Sequence, residues 1–100
     1  MIRHIVMWRL KEQAEGGSKW ENARKAKSML EGLNGKIPGL VKLEVGLDFS
    51  RTDSSADLVL YSEFETRAAL DEYQRHPEHL KVAAFIGQIR AERLVADYEA

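Results

Sequence analysis

Val41-Lys42-Leu43-Glu44-Val45-Gly46-Leu47-Asp48-Phe49 alternates apolar and polar residues without a break. Side chains of a strand point to alternate faces, so this stretch reads as a strand with one buried side. Working outward on its C-terminal side, Ser50 to Ala56 is polar and rich in turn formers. Asp57 to Glu65 then alternates again, with Leu58, Leu60, Ser62 and Phe64 on one side and Val59, Tyr61 and Glu63 on the other. Two alternating runs joined by a short polar loop predict a β-hairpin.

On the N-terminal side, Ile37-Pro38-Gly39 is a turn. Before it, Trp20, Ala23, Ala26, Leu30 and Leu33 recur at helical spacing. Ser18 and Glu21 have the spacing of a capping box, and Asn34-Gly35 is the expected stop. Lys11 to Gly17 reads as a polar loop. Ile2 to Leu10 predicts the first strand. Ile2, His4, Val6, Trp8 and Leu10 share one face, and Arg3, Ile5, Met7 and Arg9 the other.

Beyond the hairpin, Thr66 is placed to cap a helix with Ala69, Leu70 and Tyr73 inward. Pro77 interrupts that helix and suits the first turn of another. In this last helix Leu80, Ala83, Ala84 and Gly87 form a small-residue stripe, flanked by Phe85 and Ile86. Ile89 to Tyr98 predicts a final strand, with Leu94, Ala96 and Tyr98 opposed to Arg93 and Val95.

The order is therefore β-α-β-β-α-β, with the second helix broken at His76-Pro77. It predicts an α+β ferredoxin-like fold in which the helices cover one face of a four-stranded antiparallel sheet. The opposite face would carry Ile5, Met7, Val59 and Tyr61, with Val95 or Leu94. An uncovered patch of that kind predicts a homodimer through the sheet face.

Composition narrows the function. The 100 residues make one domain, 1–100, with no repeat or linker. There is no Cys, which removes disulfides, thiolate nucleophiles and Cys-based metal sites. Fifteen basic and sixteen acidic residues leave no global field for nucleic acid or an anionic membrane. Lys19, Arg24, Lys25 and Lys27 are diluted by Glu21 and Glu31, and no stacking aromatics accompany them. No apolar run approaches the ~20 residues of a membrane span, and Met1 to Leu10 lacks the features of a signal peptide. The expectation is a cytoplasmic protein that binds neither nucleic acid nor membrane.

The chemistry-bearing segment is Tyr73-Gln74-Arg75-His76-Pro77-Glu78-His79, with His4 on the first strand as its candidate partner. Histidine titrates near neutrality and can move protons to and from a carbonyl compound. One reading makes His79 a base, Tyr73 a group that orients it or the substrate, and His4 a second donor. The other makes His4 a hydrogen-bonded core residue and Tyr73 a packing residue. His76 and His79 are spaced as a metal pair, but Pro77 turns them in different directions and no third ligand is evident. No metal and no organic cofactor are expected.

Several pieces together resemble one family. They are His4-Ile5-Val6, Ile37-Pro38-Gly39-Leu40, Phe64, Ala69-Leu70 with Tyr73, His76-Pro77-Glu78-His79, and Asp97-Tyr98. The chain resembles the stress-responsive dimeric α/β-barrel (Dabb) family over nearly its whole length. That resemblance implies a ferredoxin-like subunit whose homodimer closes a dimeric α/β barrel. A plant polyketide cyclase of the family uses a strand-one histidine, a tyrosine and the second histidine of His-Pro-x-His. The resemblance thus implies His4, Tyr73 and His79 as catalytic residues; the cyclase's further strand-three histidine falls at Leu58. The expected function is binding or conversion of a small apolar carbonyl or aromatic metabolite. A non-catalytic stress-related dimer, and a cofactor-free monooxygenase or lyase, are the alternatives. An open cavity lined by His4, Tyr73 and His79 favours chemistry. One closed by Trp8, Trp20 and Phe85 favours the structural dimer.

Overall fold

The computed structural model describes residues 1–100. Strand β1 (Ile2–Leu10) is followed by a tight hairpin of β2 (Gln13–Ala14) and β3 (Gly17–Ser18), then helix α1 (Lys19–Glu31). Strands β4 (Leu40–Leu47) and β5 (Leu58–Phe64), helices α2 (Arg67–Arg75) and α3 (Pro77–Ile89), and strand β6 (Arg90–Glu99) complete the chain. The large sheet has the order β4-β5-β1-β6, every pair antiparallel. This is the ferredoxin-like α+β fold, with three helices on one face of the sheet.

Local chemistry sets the boundaries. Ser18 and Glu21 form the capping box in both directions. Thr66 Oγ1 accepts from Ala69 N at 3.0 Å and starts α2. His76 closes α2 and caps α3, its Nδ1 accepting from Glu78 N at 3.1 Å, and Pro77 occupies the first turn. The chain before α1 is more ordered than a polar loop. Glu15 and Gly16 both have positive φ (49° and 75°), the geometry of a two-residue hairpin turn. Asn22 Nδ2 ties that hairpin to α1 by donating to Ala14 O at 2.8 Å.

The inner face of the sheet is as alternation predicts. Val6, Trp8, Leu58, Leu60 and Phe64 are buried against Ala23, Ala26 and Leu30 of α1 and Tyr73 of α2. Three sequence expectations need correcting. Helix α1 stops at Glu31; Leu33 and Asn34 prolong it only through bonds to the third residue back. In β4, Val41 (51% exposed) and Phe49 (93%) lie outside the core. A register shift between Leu40 and Lys42 displaces Val41, and β4 ends at Leu47. In α3 the buried residues are Val82, Ile86 and Ile89, not the small-residue stripe, so Ile89 ends a helix rather than starting a strand. On β6 it is Leu94, opposite Met7, that joins the outer face, while Val95 pairs with Val6 on the inner one.

The outer face has no cover in the single chain. Met7, Leu94 and Tyr98 are 44%, 73% and 46% exposed. They adjoin the half-buried Ile5, Val59 and Tyr61 in the β5-β1-β6 ladder. No helix is long and apolar enough to cross a membrane.

Candidate functional site

The cavity lies between the inner face of the sheet and helices α2 and α3, with a volume of about 280 Å³. Strand β1 contributes His4, Val6 and Trp8, and the helices contribute Tyr73, His79 and Leu80. Ala83 and Gly87 line it too, which explains the small-residue stripe: small side chains there leave the space open rather than filling it. Trp8 forms one wall. Trp20 and Phe85 lie elsewhere, beneath the Arg51 guanidinium and the Lys25 ammonium at 4.8 and 4.6 Å. The cavity is open, and the three sequence-selected residues meet in it.

His4 is 2% exposed and lies near the start of β1, a strand paired on both sides. Its Nδ1 lies 2.5 Å from Asp97 Oδ1, directly across the β1–β6 ladder. In the tautomer in which Asp97 accepts from Nδ1–H, Nε2 is left as the acceptor nitrogen. Ser62 Oγ donates to the His4 carbonyl at 2.8 Å and anchors the backbone beneath it. Tyr73 is fully buried; its ring packs tilted on Phe64 at 5.0 Å and on His79 at 4.2 Å, and edge-on to His4 at 6.1 Å.

The electrostatics follow from burial. Desolvation pushes the Tyr73 hydroxyl far above the usual phenol range, Arg93 opposing it weakly, so the group stays protonated. Burial also holds His79 below the usual imidazole range, helped by His4, Arg93 and His76 and opposed by the Gln74 backbone. Three buried polar atoms on lining residues have no partner: Trp8 Nε1, Tyr73 Oη and His79 Nδ1. Buried polar groups are nearly always satisfied, so three without a partner beside one cavity are unusual.

His76 is not part of this constellation. Its ring is engaged in capping α3. Leu58 is fully buried in the core opposite Trp8, so an apolar residue stands at the strand-three position. Sequence reasoning missed Asp97 as the partner of His4, and also the cationic side of the cavity, Arg90 and Arg93. Alternation along β6 puts Arg93, Val95 and Asp97 on one face, but the register that sets Asp97 against His4 needs the fold.

The profile of the stress responsive A/B barrel domain, Dabb, matches residues 2–100. The chain belongs to the Dabb family. No curated protein matches it. Among solved structures, a dimeric ferredoxin-like protein of unknown function from Bacteroides fragilis is 29% identical, with a TM-score of 0.87 over 99% of this chain and 95% of that one. A dimeric ferredoxin-like protein of unknown function from Thermobifida fusca is 22% identical, with a TM-score of 0.84, covering 99% and 90%. The hydroxynitrile lyase of Passiflora edulis is 19% identical, with a TM-score of 0.81, covering 97% and 90%. At these identities the last two share the fold alone. Dabb membership agrees with the ferredoxin-like architecture.

Proposed function

We propose that this Dabb protein binds a small carbonyl compound in the cavity and moves a proton on the carbon next to the carbonyl. The observation that carries the reading is the convergence of His4, held by Asp97, with three unpartnered polar atoms around one open cavity. In the proposed step His4 Nε2 takes the α-proton, the C–H electron pair forms the C=C bond of an enolate, and the carbonyl π pair moves onto the oxygen. The protonated Tyr73 hydroxyl donates to that oxygen as its charge develops. The Trp8 indole N–H is a second donor. Returning the proton to carbon or to another atom completes the cycle without a redox partner. His79 is the neutral neighbour that packs on Tyr73 and fixes its ring. This moves the base from His79, where the sequence reading put it, to His4, because His4 is the histidine with a carboxylate behind it.

The cavity is near the lower end of the roughly 300–1,000 Å³ usual for small-molecule sites, which limits the compound to about one ring or a short chain. We also infer a homodimer through the outer sheet face, supported by the exposed Met7, Leu94 and Tyr98 and by the dimeric Bacteroides and Thermobifida proteins. The test of the chemistry is exchange of the acetophenone methyl protons into D₂O, followed by NMR. Wild type should exceed the buffer rate and His4→Ala should return to it. A wild-type rate equal to buffer, for acetophenone and for its 4-substituted acetyl analogues alike, rejects proton transfer.

A further inference from the structure

We propose that the compound taken by this cavity carries a carboxylate, held at the cavity mouth by Arg90 and Arg93. The proposal rests on the carbonyl reading above and adds the substrate class.

Both arginines line the cavity and both are exposed. Neither is in an ion pair, although their strand carries three carboxylates. Each of those is engaged elsewhere: Glu92 with Arg9 at 3.8 Å, Asp97 with His4 at 2.5 Å, and Glu99 with Arg67 at 3.4 Å. Two arginines thus line one cavity without an anion of their own. Each offers a planar fork of donors that matches a carboxylate.

Their convergence is not what a regular strand would give. Residues three apart on a strand point to opposite faces. Here the β1–β6 register shifts between Arg9 and Leu10: Arg9 pairs with Glu92, and Leu10 with Arg90 rather than Ala91. The extra residue is a bulge, and it turns Arg90 onto the inner face beside Arg93, which pairs with Trp8. Bulges next to sites commonly re-aim a side chain in this way. The result is a polarised cavity. Its interior holds the tyrosine, the two histidines and the indole N–H; its rim holds two cations. A compound with a carbonyl at one end and a carboxylate at the other spans both.

The test uses an isosteric pair, 4-acetylbenzoate and 4-acetylbenzamide. Affinity is measured by calorimetry and methyl-proton exchange by NMR, on wild type, Arg90→Gln, Arg93→Gln and His4→Ala. Hydrogen bonds to charged groups imply a preference of about 10-fold or more for the carboxylate in wild type. Each glutamine variant should lose about 10-fold in carboxylate affinity and keep its amide affinity. The carboxylate affinity should also fall with added salt, since the rim is exposed. Equal affinity for the two compounds, no carboxylate binding at millimolar concentration, or glutamine variants that keep the preference would each overturn the proposal. Exchange separates the two ideas. His4-dependent exchange without carboxylate preference rejects the arginine assignment alone. Arginine-dependent carboxylate binding without exchange supports it and rejects the proton-transfer step.

Discussion

His4 on β1 and Asp97 on β6 stand opposite each other in the ladder, with the imidazole Nδ1 2.5 Å from the carboxylate. The pair joins a buried ring in a central strand to an acid on an exposed edge strand. Asp97 can therefore be changed with little effect on the core. Asp97→Asn should keep the melting temperature within about 3 °C, as for other surface changes. It should lower the exchange rate at least ~10-fold, because a positioned base contributes about 10²–10⁴-fold. Retained exchange in Asp97→Asn would mean that the ring needs no carboxylate behind it.

His79 gives a pH signature in stability. Burial lowers its pKa in the folded chain, so across the interval between the folded value and the unfolded value of about 6.5 the unfolded chain binds more protons. Stability from this group is complete above that unfolded value and is lost as pH falls toward the folded one. Melting temperature should drop from pH 7.5 to pH 5 more steeply in wild type than in His79→Gln. Parallel curves would place the ring in water rather than in the cavity wall.

Asp57 holds three elements together. It is 3% exposed, accepts both terminal nitrogens of Arg51 at 2.8 Å and the Leu10 N–H at 2.8 Å, and lies 3.3 Å from Lys19 Nζ. Asp57→Ala should cost about 3 kcal/mol in urea unfolding, the low end for a broken buried pair because Arg51 can reach water. A loss under ~1 kcal/mol would show that the network is replaceable by solvent.

Gly39 has φ +78°, and a Cβ there would lie 2.5 Å from the Ala69 Cβ. The turn before β4 and the first turn of α2 meet at this point. Gly39→Ala combines left-handed strain of about 1–2 kcal/mol with a displaced helix, so about 2 kcal/mol or more should be lost. Urea unfolding checks it, and a neutral result would show that α2 can shift freely.

The exposed outer face gives a fifth prediction. Met7 and Leu94 are direct ladder partners there. Met7→Asp and Leu94→Asp should each turn the homodimer into a folded monomer at micromolar concentration, read by light scattering and circular dichroism. Dimers that survive both substitutions would move the interface to another surface.

Much of this was legible because the residues obey one period at a time. Leu58 to Phe64 alternates over its whole length, and every inner-face residue is buried. Ser18, Thr66 and Pro77 mark helix starts through local bonds that need no tertiary contact. His4, Tyr73 and His79 were reachable as a group because two flank the His76-Pro77 break between α2 and α3 and the third lies on the facing strand. What was hidden depends on register and on empty space. Val41 and Arg90 sit at shifts that break the period of two. Ala83 and Gly87 look like a packing stripe, since sequence does not distinguish a small residue that fits from one that leaves room. Asp97 is an ordinary acid until the ladder sets it against a histidine.

Strand β6 contributes an acid and two arginines to the site, yet all ten of its residues are exposed and none belongs to the core. In the proposed reading the two arginines that select the compound thus lie outside the core. Descendants of such a protein are free to diverge along one ribbon, trading an arginine for another side chain and so one metabolite for another, while the rest of the domain goes on folding as before.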